Sequence, residues 1–322
     1  MQGNSNLVKH VLAMLLLGLV FSLVAQRAKA QYNAVQLHAF SSFNIKDGAS
    51  PYASLTRDSQ GNFYGTTWGG GVYGDGTVFE IDNQGNFSLL HSFNGSDGFF
   101  PQASVALDNQ GNIYGTTGGG GAYDEGTVFK INNLHKFSLL HSFNNISTSD
   151  GYNPNGVTLD RHGNIFGTTG SGGTSDNGTV FKIDTLGNFS LIHSFNKNIS
   201  ADGDGPNNAV TIDSKGNIYG TTGAGGASDN GTIFKIDTLG NFSLVHSFNQ
   251  NDSWFGSYSG GPIAIDSQGN LFGTMSQGGA NGGGAVFKID TSGYFSLVHS
   301  FSMFTSVDGE MPFWAFVPGQ YG

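Results

Sequence analysis

A block reading GNIYGTTGGGGAYDEGTVFKI, from Gly111 to Ile131, recurs with small changes four more times along this chain of 322 residues. Aligned on the Gly-Asn pairs that open the copies, at Gly61, Gly111, Gly163, Gly216 and Gly269, the spacings are 50, 52, 53 and 53 residues. A period of that length marks supersecondary units that cannot bury their own apolar faces and must stack on their neighbours. Each copy holds four short runs, which in the second are ASVALD, NIYGTT, GTVFKI and KFSLLHSF. Val, Ile, Phe, Tyr and Thr dominate them, and these residues suit a pleated, half-buried strand. A D-x-x-G-N join at Asp58, Asp108, Asp160, Asp213 and Asp266 links the first run to the second, and a close variant at Asp82, Asp184 and Asp237 links the third to the fourth. Asp accepts hydrogen bonds from the backbone ahead of it and Gly takes the positive φ, so these joins read as tight hairpin turns. One Asp and one Asn fall short of the six to eight oxygens a calcium loop supplies.

Four antiparallel strands in about 50 residues, five times over, predict an all-β fold, a β-propeller of about five four-stranded blades. A β-solenoid is the alternative, with coils that are usually shorter. The repeats fall at about 45–94, 95–144, 145–196, 197–249 and 250–302, within a single domain over 31–322. Fragments flank them. Tyr32 to Asn44 matches a fourth strand, and Asp308 to Gly319 matches a crossover and first strand. The two ends would then meet, either as a partial sixth blade or as a latch on a five-bladed ring.

Residues 1–30 read as an export signal. Lys9 and His10 precede the apolar run Val11 to Val24, which has the length of a signal-peptide core and is short for a membrane span. Ala28 and Ala30 supply the small residues that a signal peptidase needs, leaving Gln31 as the new N-terminus and no transmembrane segment. The expected location is therefore extracellular, periplasmic or at the cell surface. The chain has no cysteine, which excludes a disulfide scaffold and a lipidated-Cys anchor. Without the leader, ten basic residues face 23 acidic ones, a balance that cannot build a basic face for nucleic acid.

Taken together, the YGTT, GTVF and HSF blocks resemble the GloVer tandem-repeat family of secreted bacterial proteins, whose units combine GNxYGTT, a Gly-rich gap, GTVFK and a downstream DGxxP. The resemblance covers most of the chain after the leader. It implies export and, in many members, a C-terminal surface anchor, and it implies no activity. FWAFVPGQYG at the end of this chain matches neither a hydrophobic tail with a basic stop nor a sorting signal.

Reactive motifs are scarce. His38, His91, His141, His193, His246 and His299 recur at one repeat position, and strand alternation sets Phe87, Leu89, His91 and Phe93 on one face with Ser88, Leu90 and Ser92 on the other. They read as core histidines with ring nitrogens satisfied by backbone, and no metal or cofactor is expected. Lys130, Lys182, Lys235 and Lys288, with Glu80 in the first copy, mark the wetter face of the third strand. The Gly-rich gaps lack the Gly-Lys-Ser/Thr of a phosphate loop.

Geometry gives a better lead. Tight turns fall at one end of an up-and-down blade, whereas the Gly-rich loops and DGxxP crossovers fall at the other, where binding loops normally sit. The candidate ligand-binding residues are those that break the repeat there: Trp68, Tyr73 and Asp75, then Tyr123, Asp124 and Glu125, then Trp254 and Tyr258. Aromatic rings stack on sugars or peptide side chains while carboxylates accept hydrogen bonds from hydroxyls. The expected function is a monomeric binding or scaffolding module for a glycan or another surface polymer. One alternative is a propeller enzyme that cleaves polysaccharide by hydrolysis or elimination, with Asp75, Asp124, Glu125 and Asp204 as the available acids. The other is a purely structural envelope protein. Amino-terminal sequencing of protein recovered outside the cytoplasm should return a chain that starts at Gln31, and a start at Met1 would refute the leader.

Overall fold

The computed structural model describes residues 36–40, 45–144, 146, 150–199, 202–249 and 261–302. The apolar leader, Trp254 and Tyr258, and the C-terminal fragment Asp308 to Gly319 lie outside them. The chain divides into Met1–Leu37 and His38–Gly322, and all the described strands belong to the second unit.

Each repeat forms one antiparallel sheet with its strands side by side in chain order. In the second repeat these are Ala106–Leu107, Ile113–Thr117, Thr127–Ile131 and Phe137–Ser142. The first strand of the fourth blade is split into Gly203–Pro206 and Thr211–Ile212, both paired with Ile218–Gly225. Its counterpart in the third blade, one residue shorter between Pro154 and Asp160, runs unbroken as Tyr152–Leu159.

A single cross-strand pair explains much of the repeated sequence. The glycine of each YGTT block lies opposite the phenylalanine of the GTVF block: Gly65 with Phe79, Gly115 with Phe129, Gly167 with Phe181, Gly220 with Phe234 and Gly273 with Phe287. A Cβ on Gly115 would stand 2.5 Å from Phe129 Cζ, so the ring lies across the bare glycine backbone. These five rings are fully buried, and burial of each contributes about 1.5–3 kcal/mol.

Beside that pair the second Thr of YGTT meets the Thr of GTVF. Thr67 and Thr77, Thr117 and Thr127, Thr169 and Thr179, and Thr222 and Thr232 hold their hydroxyls 2.7–2.8 Å apart in fully buried positions. In the fifth blade Met275 lies opposite Ala285, so both hydroxyls have been replaced together.

The fourth strand departs from simple alternation. Val78 pairs with His91 and Phe79 with Leu89, which leaves Leu90 as a bulge, and every blade repeats the shift. Leu89 is consequently exposed, whereas Leu90, Leu140, Ile192 and Val245 pack on the core of the following blade. One extra residue in the strand reverses the facing that alternation implies.

The histidines act at the same seam. The His91 ring stacks on Phe137 of the next blade at 3.9 Å between centroids, and its Nε2 lies 3.0 Å from Asp97 Oδ2 in the crossover. His141 repeats this with Phe189 and Asp150, and His193 with Phe242 and Asp202. Their partner is therefore a carboxylate, not the backbone expected from the sequence, because the DG of these three crossovers brings its Asp to the ring. Burial holds the His91 imidazole below its ordinary pKa, outweighing the attraction of Asp97. The next aromatic, Phe93, packs edge-on against Phe129 of the following blade, and Phe143, Phe195 and Phe248 do the same one blade on.

Ahead of the first blade, His38 stacks on Phe87 and reaches Asp47, while Phe40 packs on Phe79. His38 and Phe40 thus give the first blade what a preceding fourth strand gives the others. On the far side of the fifth blade the bulge residue Val298 is 58% exposed, and the buried Thr274 hydroxyl has no partner among the described residues.

The turns follow the sequence closely. Asp58 Oδ1 accepts from the backbone N–H of Gln60 and Asn62 while its Oδ2 accepts from the Asn62 amide, and Gly61 takes φ +94°. Nine turn aspartates have depressed pKa values. For Asp108 burial alone would raise it, and the combined hydrogen bonds from Asn112, Gln110 and Tyr114 prevail; for exposed Asp184 the Asn188 amide dominates.

Two outcomes are expected. Thr117→Val breaks the bond between the two hydroxyls and leaves Thr127 only the Asp97 carbonyl, which should cost about 0.5–1.5 kcal/mol by urea denaturation, whereas the double change Thr117→Met with Thr127→Ala, which copies the fifth blade, should cost less. Because the turn carboxylates titrate lower in the folded chain than in the unfolded one, their stabilisation is complete above about pH 4 and is lost as pH falls through the depressed values. Melting temperature should therefore fall most steeply below about pH 4. Asp184→Asn, which copies Asn132 of the second blade, should flatten that fall.

Candidate functional site

The two ends of the blades differ in build. At one end the paired tight turns lie together, with Asn133 N–H donating to Asn112 Oδ1 and the Asn133 amide to the Gln110 carbonyl. At the other, the Gly-rich loop of each of the first four blades rests directly on a crossover. A Cβ on Gly70 would stand 2.6 Å from the Gly48 carbonyl carbon, and Gly120, Gly172 and Gly225 are equally close to their own crossovers. The serine after each repeated histidine fixes the loop tip: Ser92, Ser142, Ser194, Ser247 and Ser300 accept from the backbone N–H of Val72, Ala122, Thr174, Ala227 and Ala280.

Crossovers also hook onto the preceding blade. Phe100 N–H donates to the Asp75 carbonyl, Asn153 N–H to Glu125 and Gly205 N–H to Asn177. Each of these donors has φ near +60°, a conformation costly for Phe and tolerated by Asn. Trp68 explains why Phe accepts it here, since the two rings stack at 4.1 Å with 8° between their planes.

Past each hook the chain turns toward the axis, and the innermost strands bond to one another. Thr56 Oγ1 donates to the Val105 carbonyl at 2.5 Å, Thr158 to Val210 at 2.5 Å, and Thr211 to Ile263. Together they ring a cavity of about 670 Å³ that draws lining residues from all five blades. Its polar groups are Gln102, Asn155, Asn207, Asn208, Ser54 and Ser104, its aromatics are Tyr52 and Trp68, and Val105 and Val157 add apolar wall. Among the described residues its lining has no carboxylate, histidine, lysine or arginine. The Asn155 amide donates to the Pro206 carbonyl at 2.6 Å, which fixes that side chain.

Of the described residues among those singled out from the sequence, this cavity takes Trp68 alone. Tyr73 is 64% exposed and follows Val72, which is tied to the outermost strand, so it lies away from the axis; Tyr123 is placed the same way. Asp75 and Glu125 offer backbone carbonyls to the hooks, and Asp124 is exposed at φ +69°. Trp254 and Tyr258 lie outside the described residues, although Gly261 and Pro262, which follow them, line the cavity. Asp204 is engaged by the Asn177 amide and by Lys197. Sequence reasoning missed Tyr52, Gln102, Asn155 and Asn207. Their signal was present, since the residue after the crossover proline changes from Tyr to Gln to Asn while the strands around it repeat.

Two other clefts, of about 650 and 860 Å³, open between neighbouring blades on the turn side. No group of three or more His, Asp or Glu side chains that could hold a metal occurs among the described residues. No helix among them is long and apolar enough to cross a membrane.

Five antiparallel sheets sharing an axial cavity define a tandem-repeat β-propeller. The chain belongs to the Gloeobacter/Verrucomicrobia repeat family, whose model matches residues 17–202 and again 145–321. No curated protein matches it. Among solved structures it is similar to virginiamycin B lyase from Staphylococcus aureus, at 14% identity and a TM-score of 0.52, over 80% of this chain and 71% of that one. It is also similar to an ulvan lyase, a polysaccharide lyase, at 11% identity and a TM-score of 0.53, over 78% and 72% of the two chains. PorZ, a surface component of the type-IX secretion system of Porphyromonas gingivalis, matches at 14% identity and a TM-score of 0.51, over 83% of this chain and 37% of PorZ. At these identities the likeness is one of fold.

Proposed function

We propose that this protein is an exported binding module that holds an uncharged, hydroxyl-rich ligand, a segment of neutral glycan, in the axial cavity. The observation that carries this reading is the lining. Carboxamides, hydroxyls and two aromatic rings converge from the first four blades of a chain with net charge −10, and none of the described lining side chains is a carboxylate or a cation. Carboxamides offer donors and acceptors together, which matches the mixed demand of sugar hydroxyls. Trp68, pinned flat against Phe100, offers a ring face whose orientation is already set, which lowers the ordering cost of stacking. The apolar leader and the small residues before Gln31 support export.

Cleavage is a weaker reading. Glycosidase chemistry needs paired carboxylates at the scissile bond, and Asp75, Asp124, Glu125 and Asp204 do not line the cavity. The ulvan lyase and PorZ are an enzyme and a surface component on one fold, so the fold itself favours neither role.

A screen against neutral and acidic glycans, followed by calorimetry on the tightest, tests the proposal. Gln102→Ala and Asn155→Ala should each weaken binding by roughly fivefold to tenfold. Trp68→Ala should weaken it more, with only a modest loss of stability because the ring is already 39% exposed. Undiminished binding in all three variants, or preference for acidic polymers, would overturn the axial site.

A further inference from the structure

The geometry points to a second surface, at the turn end of the second to fourth blades, that docks on a lipid bilayer containing anionic lipid. Leu134, Leu186 and Leu239 occupy the same position in the third-to-fourth turn of three consecutive blades and are 83%, 86% and 85% exposed. The turn does not need leucine. Gln84 in the first blade and Ser292 in the fifth make the same bond, donating their backbone N–H to the turn aspartate at 2.9 Å, as Leu186 does. Three nearly bare leucines at sites where polar residues serve equally well call for an apolar environment beyond the chain.

Charge follows the same division of blades. Tips of the tight turns carry Lys136 in the second blade, Arg161 in the third and Lys215 in the fourth, all exposed. The corresponding tips of the first blade carry Ser59, Gln60, Asn83 and Gln84, and those of the fifth carry Ser267, Gln268, Thr291 and Ser292, with no cation among them. Leucines and cations thus appear together at the turn tips of three blades and are both missing from the tips of the other two, where Arg57 precedes its turn and lies over Phe63 and Lys288 lies over Phe272. Aspartates in these turns accept from their own turn: Asp184 takes the N–H of Leu186 and Asn188 on Oδ1 and the Asn188 amide on Oδ2.

A bilayer fits better than a peptide or protein groove because blades arranged about one axis hold equivalent turn positions at a common height. The three leucines therefore meet a flat surface together. Apolar tips enter the interface while neighbouring cations meet lipid phosphates, and the binding strengths of the two add. Since the axial cavity opens at the opposite end, a docked molecule would turn that cavity away from the membrane.

The test is co-sedimentation with vesicles of phosphatidylethanolamine and phosphatidylglycerol, compared with phosphatidylcholine alone. All variants are made on the same chain, so that the apolar run Val11 to Val24 contributes equally to each. Replacing Leu134, Leu186 and Leu239 together by Gln should cut partition by roughly tenfold or more at an unchanged melting temperature. Lys136→Gln, Arg161→Ser and Lys215→Gln together should remove the preference for anionic vesicles, and Gln84→Leu should strengthen binding by adding a fourth apolar tip. Trp68→Ala, at the other end, should bind vesicles like the unaltered chain. The proposal is overturned if the triple leucine variant partitions as the parent does, if Gln84→Leu changes nothing, or if the same face captures a protein while vesicles are ignored.

Discussion

The rest of the structure depends on how one blade is seated on the next. A four-stranded sheet of five- and six-residue strands buries too little to stand alone, and the remedy is the seam where a fourth strand crosses to the following sheet. Three groups act there at once: the bulge residue enters the neighbour's core, the HSF phenylalanine packs on its GTVF phenylalanine, and the histidine is stacked above and held by the crossover aspartate. Because the aspartate belongs to the segment that starts the next blade, the covalent link and the packing contact are the same piece of chain. Assembly from local contacts of this kind approximates a sum of blade and seam stabilities.

That seam also positions the axial cavity. In the second to fourth blades the aspartate of the crossover DG is tied back to the histidine, the residue before the proline hooks onto the preceding loop, and the proline that follows directs the first strand inward. In the first four blades this repeated approach leaves the residue after the proline facing the axis region, and Gln102, Asn155 and Asn207, with Asn208, supply the carboxamides. Repetition makes the frame and variation makes the lining.

Much of this was legible in the sequence. The period gave the blades, the D-x-x-G-N joins gave the turns, and the two-ended arrangement of loops and turns followed from up-and-down order. Two things were not. Strict alternation along FSLLHSF assigned Leu89 and Leu90 to the wrong faces, because a bulge repeated in every copy leaves the period intact and shows only in the ladder. The ligand-binding choices point away from the axial cavity for a related reason: conspicuous aromatics on Gly-rich loops drew attention to Tyr73 and Tyr123, whose loop tips are tied to the outermost strand and lead away from the axis. Burial and direction decide such questions, and composition carries neither.

The exchange of a buried threonine pair for Met275 and Ala285 has a meaning for how the copies came to differ. Either single replacement breaks the bond between the hydroxyls and, in the second blade, leaves the survivor with one backbone carbonyl in a dry interior, so the two positions change at least cost as a unit. Copies built in this way drift apart by coupled steps. Counting differing letters between the fifth blade and its siblings therefore overstates the number of independent events that separate them, and a family tree of blades drawn from such counts would place this one too far out.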